Sequence, residues 1–157
     1  MRLSNPTIFN IQVMRKMGVM LFAVAFIFSA FKFSNFDSKI EEGGIIFQNK
    51  TWDEVLQLAK KEEKYIFLDV YASWCGPCKM LKRTTFSDKV VGSFYNENFI
   101  NVAFDAEKGE GINIAQQYRV SGYPTLMFIS PEGKVVRSVM GYHNSEQLLK
   151  LGEQFVK

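Results

Sequence analysis

The 157-residue chain holds two cysteines, and both fall in the run Trp74-Cys75-Gly76-Pro77-Cys78-Lys79. With two residues between them, the sulfurs lie one turn apart if a helix starts at the first, close enough to join as a disulfide or part as a dithiol. That spacing fits thiol–disulfide exchange. It also fits half of a zinc site or a structural disulfide. Zinc normally takes four protein ligands, and the chain offers no further cysteine and a single histidine, His143. A loop this short removes little entropy from the unfolded chain, which weakens the structural-disulfide reading. Exchange is the leading reading, with no metal.

In that chemistry Cys75 is the nucleophile. At the first turn of a helix its sulfur meets unpaired N–H groups and the positive end of the helix dipole, which stabilise a thiolate. Cys78, one turn deeper, is expected to be the less exposed thiol and to resolve the mixed disulfide. Lys79 either adds nearby positive charge or is an ordinary solvated lysine. His143 follows the last predicted strand in a polar stretch and is expected on the surface, not in a Cys/His hydrolase pair. Asp69 stands alone in an apolar run, where desolvation should raise its pKa.

These residues need a strand, a turn and a helix to hold them. Tyr65-Ile66-Phe67-Leu68-Asp69-Val70-Tyr71 reads as a buried strand, and a helix from the cysteines runs toward Lys82. Upstream, Gly44–Phe47 is predicted as a short strand. A helix then follows, with Thr51 and Glu54 as a capping box and Trp52, Val55, Leu56 and Ala59 on its apolar face. Downstream come a helix around Ser87–Asn96, a strand Phe99–Asp105, and a helix with Ile112, Ala115 and Tyr118 inward. Next are a strand Thr125–Ile129, a turn at Pro131-Glu132-Gly133 and a strand Lys134–Val139, which read as a hairpin. Asn144 and Gln147 cap a last helix to Val156. The alternation implies an α/β domain, a mixed sheet with helices on both faces.

Residues 1–36 carry Arg2, Arg15, Lys16 and Lys32 and no acid; residues 37–157 hold 15 basic and 16 acidic residues. The overall charge of +3 therefore belongs to the leader and gives no support to nucleic-acid binding. Met17–Phe31 is uncharged and follows a basic pair, an export signal that leaves the C-terminal part on the far side of a membrane. As a helix it would span about 22 Å, which favours a cleaved signal peptide. The bulky Phe28 before Ala30, and a snorkelling Lys32 that extends the apolar reach to Phe36, favour a retained signal anchor. Both stay open. The predicted organisation is a leader at 1–36, a tether at 37–43 and one domain at 44–157.

From about Gly44 to Lys157 the chain resembles the thioredoxin family. The likeness rests on the Trp74–Lys79 string, on Asp69 six residues before the first cysteine, on Gly122-Tyr123-Pro124-Thr125 before a strand, and on Gly141 after the final one. Tyr71-Ala72-Ser73-Trp74-Cys75 and Thr85-Phe86-Ser87-Asp88 are similar to exported thioredoxin-like domains that pass electrons to other periplasmic proteins, such as the C-terminal domain of the membrane thiol reductant DsbD. The resemblance implies a thioredoxin fold and a cis-proline at Pro124 opposite Cys75. Such a proline would fix Tyr123 so that its backbone pairs with an extended substrate, and would crowd metal away from the dithiol; an ordinary turn proline is the alternative. Trp74, Gly76, Pro77, Tyr123 and Gly141 would form an apolar contact surface, which Tyr142 could rim. Asp69 would lie beneath Cys78 and handle its proton, or else bond backbone at a strand edge. Where the family usually carries a lysine, four residues before the position of Asp105, this chain has Asn101, which should make Asp69 harder to ionise.

The expected function is thiol–disulfide oxidoreduction without a cofactor: a monomer reducing disulfides of exported proteins through Cys75 and Cys78. The membrane is engaged through the N-terminal segment, a membrane thiol donor recharges the pair, and the location is the periplasmic side of the bacterial inner membrane, anchored or free. An oxidase or isomerase of the same fold is one alternative. A binding or chaperone module with incidental cysteines is another, and the intact Cys75, Cys78 and Pro124 argue against it.

Overall fold

The computed structural model describes residues 43–156; the predicted leader and residues 37–42 of the tether lie outside the described residues. Helix α1 (Trp52–Glu62) starts at a capping box, with the Glu54 N–H donating to the Thr51 hydroxyl and the Thr51 N–H to the Glu54 carboxylate at 2.8 Å. Its buried stripe is Trp52, Val55 and Ala59. Then follow β1 (Tyr65–Tyr71), α2 (Gly76–Thr84), α3 (Lys89–Asn98), β2 (Phe99–Asp105), α4 (Glu110–Gln117), β3 (Thr125–Ile129), β4 (Val135–Met140) and α5 (Ser145–Gly152), with a 3-10 turn at Glu153–Phe155. Asp88 caps α3 by accepting from the N–H groups of Val90 and Val91, and Asn144 with Gln147 makes a second capping box on α5. Among the described residues no helix is long and apolar enough to cross a membrane.

The sheet runs in the order β2-β1-β3-β4, with β1 parallel to β2 and antiparallel to β3, and β4 closing a hairpin on β3. Side chains alternate across it. Ile66, Leu68, Val70, Ile100, Val102, Met127 and Ile129 face one core, shared with α1 and with Ile114 of α4. On the other face Phe67, Phe99, Leu126 and Phe128 pack against Leu81 of α2, Val91 and Tyr95 of α3 and Leu148 of α5. Asp69, in step with Phe67, therefore belongs to the second face, the one α2 covers.

Two expectations fail. Gly44–Phe47 opens on a bend at Gly44 and is not a strand: Ile45 and Gln48 reach the backbone of Phe86 and Asn101, but the Ile46 N–H is taken by the side chain of Asn96, so no ladder forms. In α4 the inward isoleucine is Ile114, while Ile112 is exposed. The helix already starts at Glu110, and Gly111 is turned in against the Asp105 carbonyl, where a Cβ would overlap it. One turn on, Ile114 inherits that face.

Candidate active site

After β1 the chain turns through Ala72-Ser73-Trp74, closed by the Cys75 N–H donating to the Ala72 carbonyl at 3.1 Å, and Cys75 becomes the N-cap of α2. Pro77 sits in the first turn, where a missing N–H leaves no helical bond unmade. The Cys75 Sγ accepts the Cys78 N–H at 3.1 Å, so a helix-start donor points at this sulfur. The pair is joined as a disulfide, S–S 2.10 Å, with Cα atoms 5.3 Å apart.

Both cysteines are buried in the disulfide form. Cys75 is 2% exposed and Cys78 7%. In the closed bridge Cys75 is drawn in among Ala72, Tyr71 and Tyr123, whereas Cys78 borders a cavity on its far side. An open face for Cys75 is thus not a property of the oxidised state.

The Tyr123–Pro124 peptide is cis. Pro124 is buried, and its carbonyl accepts the N–H of Gly141 at 2.8 Å; Gly141 adopts φ +93°, a conformation that favours glycine. What reaches solvent around the dithiol is Gly76, Pro77, part of Tyr123 and the strongly exposed Trp74. Trp74 and Tyr123 meet edge to face, centroids 6.0 Å apart. Tyr142 is exposed, its hydroxyl 3.2 Å from that of Thr84. His143 is half-buried rather than on the surface, because Nδ1 lies 3.0 Å from the Gly141 carbonyl and its own carbonyl accepts from Thr85.

Sequence reasoning missed Glu107. Its two carboxylate oxygens lie 2.9 and 3.0 Å from the Trp74 indole nitrogen, and the Asp105 carboxylate accepts the Glu107 N–H. Nothing in a lone acid thirty-three residues away marks it. By pinning the exposed indole, Glu107 holds the rim of the dithiol in one orientation. Glu107→Ala is expected to raise the KM for insulin about fivefold at constant kcat and to shift Trp74 fluorescence, with Glu107→Gln close to wild type. A fall in kcat at constant KM in Glu107→Ala refutes this role.

Asp69 pairs with Ala103 of β2 and Leu126 of β3. It lies on an interior strand, so the strand-edge alternative fails. It is buried, and its Oδ1 has no hydrogen-bond partner among the described residues. Burial pushes its carboxyl up to about 7, because the charged form loses water. Asp69 and Cys78 line one cavity of about 600 Å³, with Lys79, Lys82, Phe47 and Phe86. Lys79 is both exposed and beside Cys78. Asn101, in the family's lysine position, gives its amide to the Tyr95 carbonyl (3.1 Å) and Asn96 Oδ1 (3.2 Å), not to Asp69. Among the described residues no group of three or more His, Cys, Asp or Glu side chains could hold a metal.

The family model for the thioredoxin-like domain matches residues 52–155. The chain belongs to the thioredoxin-like family. It is 32% identical to thioredoxin H1 of Arabidopsis thaliana over 108 residues, 68% of this chain and 89% of that one. It is 32% identical to the thiol:disulfide interchange protein DsbD of Campylobacter jejuni over 100 residues, 63% of this chain but 18% of DsbD. A Bacteroides thetaiotaomicron protein described as a "putative disulphide-isomerase" superposes with TM-score 0.63 at 39% identity, over 73% of this chain and 97% of that one. As a thioredoxin-like protein with a Cys-x-x-Cys pair at the start of α2, the chain is a thiol–disulfide oxidoreductase.

Proposed function

We propose that this thioredoxin-like domain reduces disulfides of exported proteins on the periplasmic side of a bacterial inner membrane, with Cys75 as nucleophile and Cys78 as resolving thiol. The observation that carries the roles is the Cys75 sulfur at the N-cap, facing the Cys78 N–H at 3.1 Å. In the dithiol form the Cys75 thiolate attacks one sulfur of a client disulfide; the client's other sulfur leaves as a thiolate, and a mixed disulfide remains. The Cys78 thiol loses its proton to Asp69, and its thiolate displaces the client from Cys75. One client disulfide becomes two thiolates, which take up protons from Asp69 and solvent, and the Cys75–Cys78 disulfide is formed. A dithiol donor at the membrane reverses that last change. Trp74, Gly76, Pro77 and Tyr123 supply the contact surface, with Pro124 holding Tyr123 beside the dithiol; such a patch accepts many extended clients.

The likeness to DsbD and the basic, apolar leader support the exported setting. Full-length Cys78→Ala expressed in bacterial cells is expected to accumulate mixed disulfides through Cys75 with periplasmic proteins and one membrane donor. Adducts restricted to cytoplasmic proteins would place the domain on the other side. Faster recovery of scrambled ribonuclease than reduction of insulin would move the reading from reductase to isomerase.

A further inference from the structure

The segment Gly44–Gln48 is held against the sheet by a side chain standing in for a strand. The Ile46 N–H donates to Asn96 Oδ1 at 2.8 Å and Asn96 Nδ2 donates to the Gly44 carbonyl at 3.2 Å. The Asn96 amide thus meets both polar groups as a neighbouring peptide would. Its Oδ1 also accepts from the buried Asn101 at 3.2 Å, which orients it. On either side, Ile45 donates to the Phe86 carbonyl (2.7 Å) and Gln48 to the Asn101 carbonyl (2.8 Å). Contact is close enough to require glycine twice. A Cβ on Gly44 would overlap the Phe86 carbonyl, and one on Gly92 of α3 would overlap the backbone of Gly43 and Gly44.

This segment is one wall of the cavity that reaches Asp69 and Cys78: Gly44, Ile45 and Phe47 line it. The titratable groups that line the cavity with Asp69 are Tyr71 of β1 and Lys79 and Lys82 of α2, and the disulfide-bonded Cys78 beside them has no proton to lose. From β2 comes Ala103, from the α2–α3 turn Phe86 and Ser87, and from β3 the paired Leu126. No residue of the wall titrates. Moving the wall therefore changes the access of water without changing the charge around the carboxylate.

We propose that Asn96 is a positioning residue that clips the Gly44–Gln48 segment over the cavity as a releasable wall, and so controls the access of water to Asp69. Through Asp69 it sets the pH at which the dithiol reacts, a consequence that rests on Asp69 taking the Cys78 proton. Opening the wall returns water to the carboxylate and lowers its pKa; closing it raises the pKa.

The test uses the oxidised full-length chain and two variants that release the wall from different sides, Asn96→Ala and Gly44→Ala. In both, the Ile46 amide is expected to exchange with solvent about tenfold faster. The Asp69 carboxyl, followed by carbon-13 NMR, is expected to titrate about one unit lower. A protected Ile46 amide in Asn96→Ala overturns the clip. So does a released segment with unmoved Asp69 titration in whichever variant folds. If the Asp69 titration moves while the pH profile of insulin reduction stays in place, the clip stands and the assignment of Asp69 as proton acceptor fails.

Discussion

Cys75→Ser is expected to lower the reduction of insulin disulfides by at least about a thousandfold. A serine hydroxyl at the N-cap keeps the helix start and its hydrogen bond from the Cys78 N–H, so α2 persists. What disappears is the only atom at that position that can form and release a bond to sulfur. Opening a disulfide that closes so short a loop removes little constraint from the unfolded chain, so unchanged circular dichroism should accompany the lost activity. The same variant separates catalysis from mere binding: a chaperone-like module would keep its clients. Activity within tenfold of wild type would overturn the role of Cys75.

Asp69 makes stability fall as pH rises. In the folded oxidised protein its carboxyl is pushed up to about 7, against a usual value of 3.8, because burial disfavours the anion. Below the unfolded pKa both states hold the proton and no penalty exists. Between the two values the folded state keeps a proton that the unfolded state releases, so each pH unit favours unfolding by about 1.4 kcal/mol. The loss amounts to roughly 4 kcal/mol and levels off once the pH passes the folded pKa. Asp69→Asn abolishes this slope. Urea unfolding should find the variant more stable than wild type above pH 7 by about 2–4 kcal/mol, the range allowing for the cost of burying an amide. The difference between the two proteins isolates Asp69 from the surface carboxylates. Stability curves that run parallel from pH 4 to 8 would contradict the buried, poorly solvated carboxylate.

Much of the frame was legible because it is encoded by neighbours. The bounds of β1 and β2, the capping boxes at Thr51 and Asn144, and the start of α2 at the cysteines all depend on residues a few positions apart. The phase of α4 was misread because Gly111 is turned in by a contact with Asp105, a packing constraint invisible in hydrophobic periodicity. Gly44–Phe47 looked like a strand by composition. It lacks a ladder because Asn96, about fifty residues away, takes the bonds that a strand would have used.

The same division runs through the site. Residue order alone determined that two thiols stand one turn apart at a helix entrance, that a carboxylate lies in the apolar strand before them, and that no second set of metal-binding cysteines exists. Tertiary structure decided that both cysteines are buried in the disulfide, that Asp69 shares a cavity with Cys78, that Glu107 pins Trp74, and that Asn96 holds the cavity wall. Helix caps and strand alternation arise from backbone geometry within a few residues. Burial, cavity walls and hydrogen bonds across fifty positions exist only once the sheet and helices have closed on one another.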